Sequence, residues 1–222
     1  MNHALRERMR AAYHSMATER EARILPEWKL AERRRFLKQL QGAGATSLLE
    51  VGSGPGVDAA YYRDHGFDVV CVDLSPEMVA RCRDKGLTAL EMDLADLRLP
   101  PDLFDAVYAF NCLLHVPKAE LSAALDEIRR VLTPGGLFYL GVYGGYNHEG
   151  VWSQDRYEPK RFFSFHTDEG LRARVGRTFE VVSFRRVDIG ASDPDFHFQA
   201  AVLRNPMGAA NPHERRRDTD GI

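Results

Sequence analysis

Leu48-Leu49-Glu50-Val51-Gly52-Ser53-Gly54-Pro55-Gly56-Val57-Asp58 is the stretch on which the reading of this chain turns. Ser47 to Val51 is a short run of strand character, and it enters a turn with glycine at 52, 54 and 56. Glycines so placed let the backbone bend sharply and approach a ligand with no side chain between them, beside the positive end of the following helix. Outward from this turn, strands and helices alternate. Asp68-Val69-Val70-Cys71-Val72 reads as a second strand, Pro76 to Lys85 as a helix opened by proline in its first turn, and Thr88 to Met92 as a third strand. Phe104 to Phe110 gives a fourth strand, Lys118 to Leu132 a helix, and Gly136 to Val142 a nearly continuous apolar fifth strand. This alternation implies a parallel sheet covered on both faces, since parallel neighbours require crossover connections. Ligands of such sheets sit at the carboxyl ends of the strands, where the glycine turn falls.

Upstream, Trp28, Leu30, Ala31, Phe36, Leu37 and Leu40 follow helical spacing, with Arg33, Arg34 and Arg35 on the wet side, and Gly42-Ala43-Gly44 ends the helix. Downstream, Tyr143 to His166 shows no period and is too long for an ordinary connection, which marks it as functional or disordered. Thr167-Asp168-Glu169 opens a helix, and Thr178 to Val187 with His197 to Leu203 suits an antiparallel hairpin at the sheet edge. The expected organisation is one domain over 1–204. It divides into a helical cover (1–41), a ligand-binding half (46–142) and an irregular segment with a helix and closing hairpin (143–204). Residues 205–222, with Pro206, Gly208, Asn211-Pro212 and Arg215-Arg216-Arg217, read as a disordered tail.

At 222 residues, 44% hydrophobic and 28% charged, the composition fits a globular domain, and no apolar run nears the roughly 20 residues of a bilayer span. Met1 to Arg8 mixes acids and bases where a signal peptide needs an apolar core, so cytoplasm is the expected location and no membrane partner is expected. Cys71, Cys82 and Cys112 are scattered and form no CxxC pair, which favours buried thiols over disulfides or zinc. The net charge of -2 is uneven. Residues 1–40 carry 10 basic against 5 acidic side chains, 41–142 carry 8 against 15, and 143–222 carry 12 against 12. An acidic middle is a poor surface for polyanions, so no nucleic acid is expected, and the two arginine runs read as solvated.

A dinucleotide fingerprint would place its third glycine at position 57, where Val57 stands after Gly56. The run Leu48 to Asp58 instead resembles the first motif of class I S-adenosylmethionine-dependent methyltransferases, which keep an acid before a GxGxG turn. Asp73, 23 positions after Glu50, matches the family's ribose-binding acid, and Met92-Asp93-Leu94 matches the adenine-binding aspartate with its apolar neighbour. Phe104-Asp105-Ala106-Val107 through Leu113-Leu114-His115-Val116 looks like the fourth strand and its turn, and Leu132-Thr133-Pro134-Gly135-Gly136 like the turn into the fifth. The resemblance covers 46–142. It implies a Rossmann-like α/β fold with a mostly parallel seven-stranded sheet, an antiparallel last strand and helices on both faces. It implies a cofactor site of Glu50, Gly52, Ser53, Gly54, Gly56, Asp73, Leu74, Met78, Asp93, Leu94 and Asn111. On residues alone, Asp73 and Ser75 compete to cap the helix at Pro76, Asp96 competes with Asp93, and His115 also fits a structural role.

The chemistry implied is an in-line displacement from S-adenosylmethionine, with the protein holding two reactants together and a base needed only for a protonated acceptor. Candidate catalytic residues are His115, Tyr146 and His148. Tyr143, Trp152, Asp155, Tyr157, Arg161 and Phe162-Phe163 join them on the acceptor side, and an N-terminal helix with Tyr13 and Trp28 would cover the cofactor. Asn111-Cys112-Leu113-Leu114 lacks the (Asn/Asp)-Pro-Pro-(Tyr/Phe) pattern of amide and nucleobase methylation, and no acidic pair stands there for magnesium. The expected acceptor is a small molecule, with no metal, and the expected state a monomer or homodimer. Two other readings stay open at this point. One is a nicotinamide-dependent oxidoreductase, which shares the acid about 20 residues after a glycine turn; the other is a non-catalytic S-adenosylmethionine-binding protein.

Overall fold

The computed structural model describes residues 2–22 and 24–207, so Arg215-Arg216-Arg217 and nearly all of the tail lie outside the described residues. Three helices precede the sheet: α1 (His3–Ser15), α2 (Ala17–Glu21) and α3 (Glu27–Ala43). The alternating core follows as β1 (Ser47–Val51), α4 (Val57–Asp64), β2 (Asp68–Asp73), α5 (Pro76–Asp84), β3 (Thr88–Glu91) and β4 (Phe104–Phe110). A 3₁₀ turn (Leu113–His115), α6 (Leu121–Val131) and β5 (Leu132–Gly144) complete that half. Then come β6 (His148–Val151), β7 (Phe162–Phe165), α7 (Asp168–Val175), β8 (Glu180–Val187) and β9 (His197–Arg204).

Seven strands form one sheet in the order β3-β2-β1-β4-β5-β9-β8. All pairs from β3 to β5 are parallel, and β9 runs antiparallel to both β5 and β8. This is the expected mostly parallel sheet with an antiparallel last strand. β9 is inserted between β5 and β8, so the outer edge belongs to β8. The order reverses between β1 and β4, and that switch point is where a doubly wound sheet opens a crevice at its strand ends.

Local chemistry sets the element ends. Ser75 accepts the Met78 N–H at 3.4 Å with Pro76 next to it, and Thr167 accepts the Gly170 N–H at 3.1 Å, so α5 and α7 start where an oxygen satisfies an orphan donor. One Asp105 carboxylate oxygen accepts from the backbone N–H and hydroxyl of both Thr46 and Ser47, at 2.9–3.1 Å, which pins the starts of β1 and β4 in register. Helix α6 buries Leu121, Ala124, Leu125, Ile128 and Val131 along one face. Each large apolar side chain there contributes about 1.5–3 kcal/mol. On the opposite face, Phe36, Leu37 and Leu40 of α3 meet Tyr62, Tyr108 and Tyr139. Arg185 of β8 and the Tyr139 hydroxyl both donate to the buried Glu32 carboxylate, which ties α3 to the sheet.

Three local readings change. Arg33 is not on a wet side: its guanidinium donates to Asp58 at 3.1 Å and lies 3.9 Å from the centre of the Tyr61 ring, whereas Arg34 and Arg35 are exposed. The segment after Val142 is not irregular throughout. Strands β6 and β7 pair antiparallel within it, because Phe163 and Phe165 turn inward onto Trp152, Tyr146 and Phe196. Asn205, placed by sequence at the start of the tail, is buried, and its side-chain amide donates to the carbonyls of Leu132 and Thr133 at 2.7 and 3.1 Å. All three cysteines are free and buried.

Candidate active site

Strands β1, β2 and β4 end side by side, and the loops leaving them shape two adjoining hollows. The narrower, about 80 Å³, lies among Gly54, Asp73, Leu74, Met92, Asp93 and Leu94, with Met9, Arg10 and Tyr13 of α1 closing its outer side. The wider, about 420 Å³, runs from Glu50 and Ser53 towards Trp152, Tyr157 and Phe196. Tyr13, Arg20, Gly52, Phe110, Asn111 and His115 line both and form the seam between them.

The three glycines do different work. Gly52 has a φ of +65°, and a Cβ there would stand 2.3 Å from the Cys112 Cβ, so the turn from β1 presses on the turn from β4. Gly54 faces the narrower hollow, with the Arg20 Nη2 atom 3.6 Å from where its Cβ would be. Gly56 instead packs against Cys82 and Leu87, away from both hollows.

Asp73 holds the loop that it serves. Its Oδ2 accepts the Gly54 N–H and its Oδ1 the Ser75 N–H, both at 2.8 Å, while Ser75 itself caps α5. Each oxygen keeps a lone pair for a ligand hydroxyl. Burial pushes the Asp73 carboxyl above the usual range, opposed by those amides and by Arg20. Asp93 accepts the Ala95 N–H through Oδ1 and pairs through Oδ2 with Arg6 of α1 at 2.5 Å. Arg10 donates to the Leu74 carbonyl at 2.9 Å and pairs with Glu91, so α1 is a cover fastened to the rim of the narrow hollow.

Two acceptors are buried here with no hydrogen-bond partner: Asn111 Oδ1 at the seam and Glu50 Oε2 in the wider hollow. Burial, then the nearby Asp58, drives the Glu50 carboxyl well above the ordinary carboxylate range. Asn111 carries a left-handed backbone with φ +59°, a conformation asparagine tolerates at a cost of order 1–3 kcal/mol, and its N–H donates to the Gly141 carbonyl at 2.7 Å. Orphaned oxygens beside a glycine turn suit a ligand that brings positive charge and N–H donors, as the sulfonium and ammonium of S-adenosylmethionine do. Arg20 offers the complement: it makes no ion pair among the described residues, it donates to the Tyr157 hydroxyl at 3.2 Å, and its Nε atom has no partner.

His115 is locked. Its Nδ1 is 2.7 Å from the Phe162 carbonyl, which can only accept, so Nδ1 carries the proton and Nε2 accepts from the Tyr13 hydroxyl at 2.6 Å. Burial, reinforced by Arg161, pulls its pKa down to about 3, so the ring is neutral at physiological pH. Arg161 extends this bridge: it pairs bidentately with Asp155 at 2.9 Å, lies 3.5 Å from the centre of the Tyr157 ring, and donates to Tyr13 at 3.4 Å.

Of the residues proposed from sequence, Glu50, Gly52, Ser53, Gly54, Asp73, Leu74, Asp93, Leu94, Asn111 and His115 come together around the two hollows. Met78 is buried under the α5 cap, and Gly56 packs behind the turn. Tyr146 and His148 line neither hollow; Tyr146 packs on Phe165 and Phe196, and His148 packs on Phe165. Arg20, Arg10, Lys29 and Phe110 were missed. Nothing in sequence distinguishes Arg20 from the solvated charges beside it, because its place depends on α2 folding back over the glycine turn.

This constellation, a switch-point glycine turn with an acid on each of the next two strand ends, defines a nucleoside-cofactor site on a methyltransferase-type fold. Residues 49–140 match the family model described as a methyltransferase domain. A malonyl-[acyl-carrier protein] O-methyltransferase of Geobacter sulfurreducens is 27% identical over 228 residues, covering 93% of this chain and 83% of that protein. Other curated relatives match 40–66% of this chain, and the chain spans about half their length or less. Among solved structures, the Burkholderia thailandensis 1,6-didemethyltoxoflavin-N1-methyltransferase, with bound 1,6-didemethyltoxoflavin and S-adenosylhomocysteine, matches at a TM-score of 0.72. It is 20% identical and is aligned over 93% of this chain and 91% of its own. The DhpI–S-adenosylhomocysteine complex matches at 0.69 with 22% identity, over 93% of this chain and 99% of its own. The chain carries a methyltransferase domain over residues 49–140, within the fold shared with these solved structures. Among the described residues no helix is long and apolar enough to cross a membrane, and no cluster of three or more His, Cys, Asp or Glu is arranged to hold a metal ion.

Proposed function

We propose that this enzyme transfers the methyl group of S-adenosylmethionine to a small-molecule acceptor by in-line displacement. The observation that carries the reading is the pair of orphaned acceptors, Asn111 Oδ1 at the seam where a narrow hollow meets a wider one and Glu50 Oε2 in the wider hollow. When bound, S-adenosylmethionine supplies a methyl group already activated on a positively charged sulfur.

The chain's residues do the rest. Asp73 accepts ribose hydroxyls while its other lone pairs hold Gly54 and Ser75 in place. Asp93, with Met92 and Leu94 beside it, would receive the base, and α1 covers the narrow hollow, fastened by Arg6 to Asp93 and by Arg10 to the Leu74 carbonyl. Arg20 receives the methionine carboxylate at Gly54, and Glu50 and Asn111 face the cationic end. Tyr143, Trp152, Phe163 and Phe196 wall the wider chamber and would hold an acceptor in a fixed orientation beside the cofactor. Such orientation supplies up to about 7–11 kcal/mol of a bimolecular barrier. Tyr13 and His115 hold the seam; with His115 neutral and both ring nitrogens engaged, its role is positioning.

The test is ligand binding by calorimetry followed by a labelled methyl-transfer screen. S-adenosylhomocysteine should bind and stabilise the protein, and NADH should do neither. Equal stabilisation by NADH would overturn the reading, and cofactor binding with no turnover on any metabolite would favour a non-catalytic binding protein.

A further inference from the structure

Helices α1 and α2 lie across the strand ends on little apolar contact. They bury Met9, Ala12 and Ala17, whereas α3 buries Phe36, Leu37 and Leu40 and ties Glu32 to the sheet. Arg10 pairs with Glu91, and Glu21 with both Arg81 and Lys85, partly exposed pairs of a kind that contribute little each. Beyond α2 the chain reaches α3 past the exposed Ile24 and Pro26. A segment with so few buried apolar contacts belongs to the low end of local stability, and it opens without unfolding the sheet.

This segment touches both hollows. On one side it supplies Met9, Arg10, Tyr13 and Arg20 to the lining of the narrow hollow. On the other it grips the connection from β6 to β7, whose Arg156, Tyr157 and Arg161 line the wider chamber. Arg8 donates to the Lys160 carbonyl at 3.1 Å, and the Ser15 hydroxyl reaches the Glu158 carbonyl at 3.0 Å. Arg20 donates to the Tyr157 hydroxyl at 3.2 Å, and Glu19 pairs with Arg156 at 3.4 Å. Among the described residues, the hydrogen bonds and ion pairs that 156–160 make beyond 155–161 all go to α1 or α2. The remainder are internal. The Asp155 carboxylate accepts the backbone N–H groups of Tyr157 and Arg161, and Lys160 donates to the Asp155 carbonyl at 3.0 Å.

Resting on the methyltransferase reading above, we propose that α1 and α2 form one cover shared by the two hollows, so that cofactor bound in the narrow hollow fixes residues 156–160 as a wall of the acceptor chamber. A ligand shifts such an equilibrium only through contacts made in one state and not in the other. Met9, Arg10, Tyr13 and Arg20 are those contacts, because they reach the narrow hollow only while the cover lies across it. Closure carries Arg8, Ser15 and Glu19 to the connection at the same time. The acceptor chamber is therefore completed by the cofactor, and the cofactor binds first. By linkage, an acceptor held against that wall tightens the cofactor by the same factor.

Amide hydrogen exchange on the full chain, with and without saturating S-adenosylhomocysteine, tests this. The ligand should slow exchange at least tenfold in α1 and α2, and also at the Tyr157 and Arg161 amides that the Asp155 carboxylate receives. The triple variant Arg8→Gln/Ser15→Ala/Glu19→Gln cuts the link, since none of the three side chains lines either hollow. In it the slowing in α1 and α2 should persist, while that at Tyr157 and Arg161 should fall to less than a third of the native value. Slowing confined to α1 and α2 in the native protein, or undiminished slowing of both amides in the variant, would overturn the proposal alone. Calorimetry on the same samples reads binding itself, and failure to bind S-adenosylhomocysteine would overturn the underlying reading and this one with it.

Discussion

The substitution His115→Gln tests whether this histidine is a buried structural bridge. In the folded protein the ring is neutral, with a pKa pulled down to about 3 by burial and then by Arg161. Unfolded, it titrates near 6.5. Because the folded pKa is depressed for a base, its contribution is intact above pH 6.5 and is lost as pH falls towards 3, since only the unfolded chain takes up the proton. At pH 4.5 the unfolded side chain is two units below its pKa and the folded one is still neutral, so the loss is roughly 3 kcal/mol. That figure holds for any folded pKa well below 4.5. A glutamine at this position cannot titrate. The assay is urea unfolding of both proteins at pH 7.5, 6.0, 5.0 and 4.5, read as the difference between them so that titrating carboxylates cancel. The variant should be less stable at pH 7.5, through the lost Tyr13 or Phe162 hydrogen bond, and the difference should shift in its favour by roughly 3 kcal/mol at pH 4.5, enough to reverse it. A constant gap across this range would mean that His115 is solvated or charged in the folded state, and the bridge from α1 to β7 would be refuted.

Three further outcomes follow from the same geometry. Asp73→Asn turns one acceptor oxygen into a donor against a backbone N–H, so S-adenosylhomocysteine binding should weaken by about 1.5–3 kcal/mol in calorimetry; unchanged affinity would mean that the ribose lies elsewhere. Glu50→Gln should flatten the pH dependence of S-adenosylmethionine binding. In the native protein burial raises the Glu50 carboxyl, a cationic ligand favours its ionised form, and affinity should therefore rise with pH as a proton is released; calorimetry in buffers of different ionisation enthalpy reads that proton. Gly52→Ala adds at least about 1–2 kcal/mol of left-handed strain to a Cβ contact at 2.3 Å, so Tm should drop by at least roughly 2–4 °C in calorimetric melting, together with lost cofactor binding.

The alternation of apolar runs from Ser47 to Val142 was enough to place five strands and their helices, because a sheet buried on both faces needs continuous apolar strands and crossover helices between them. The antiparallel insertion of β9 was less legible. Its strand character is local, but its position between β5 and β8 is a matter of chain return. The same holds for Arg33, whose neighbours Arg34 and Arg35 are solvated while it meets Asp58, 25 residues away, in the fold. Phe162-Phe163-Ser164-Phe165 was legible as aromatic yet not as a strand, since its partner, His148–Val151, carries no period of its own.

By itself, then, the sequence determined the sheet, the glycine turn and the acids at its strand ends, since each depends on residues within a few positions of one another and on the backbone conformations those residues favour. Tertiary structure alone decided that Arg20 would reach Gly54 and that Tyr13 and Phe162 would lock both nitrogens of His115. The hydrogen bonds that fix Arg20 and His115 span up to 137 positions of chain, and only the folded path of α1 to α3 over the strand ends brings their partners within range.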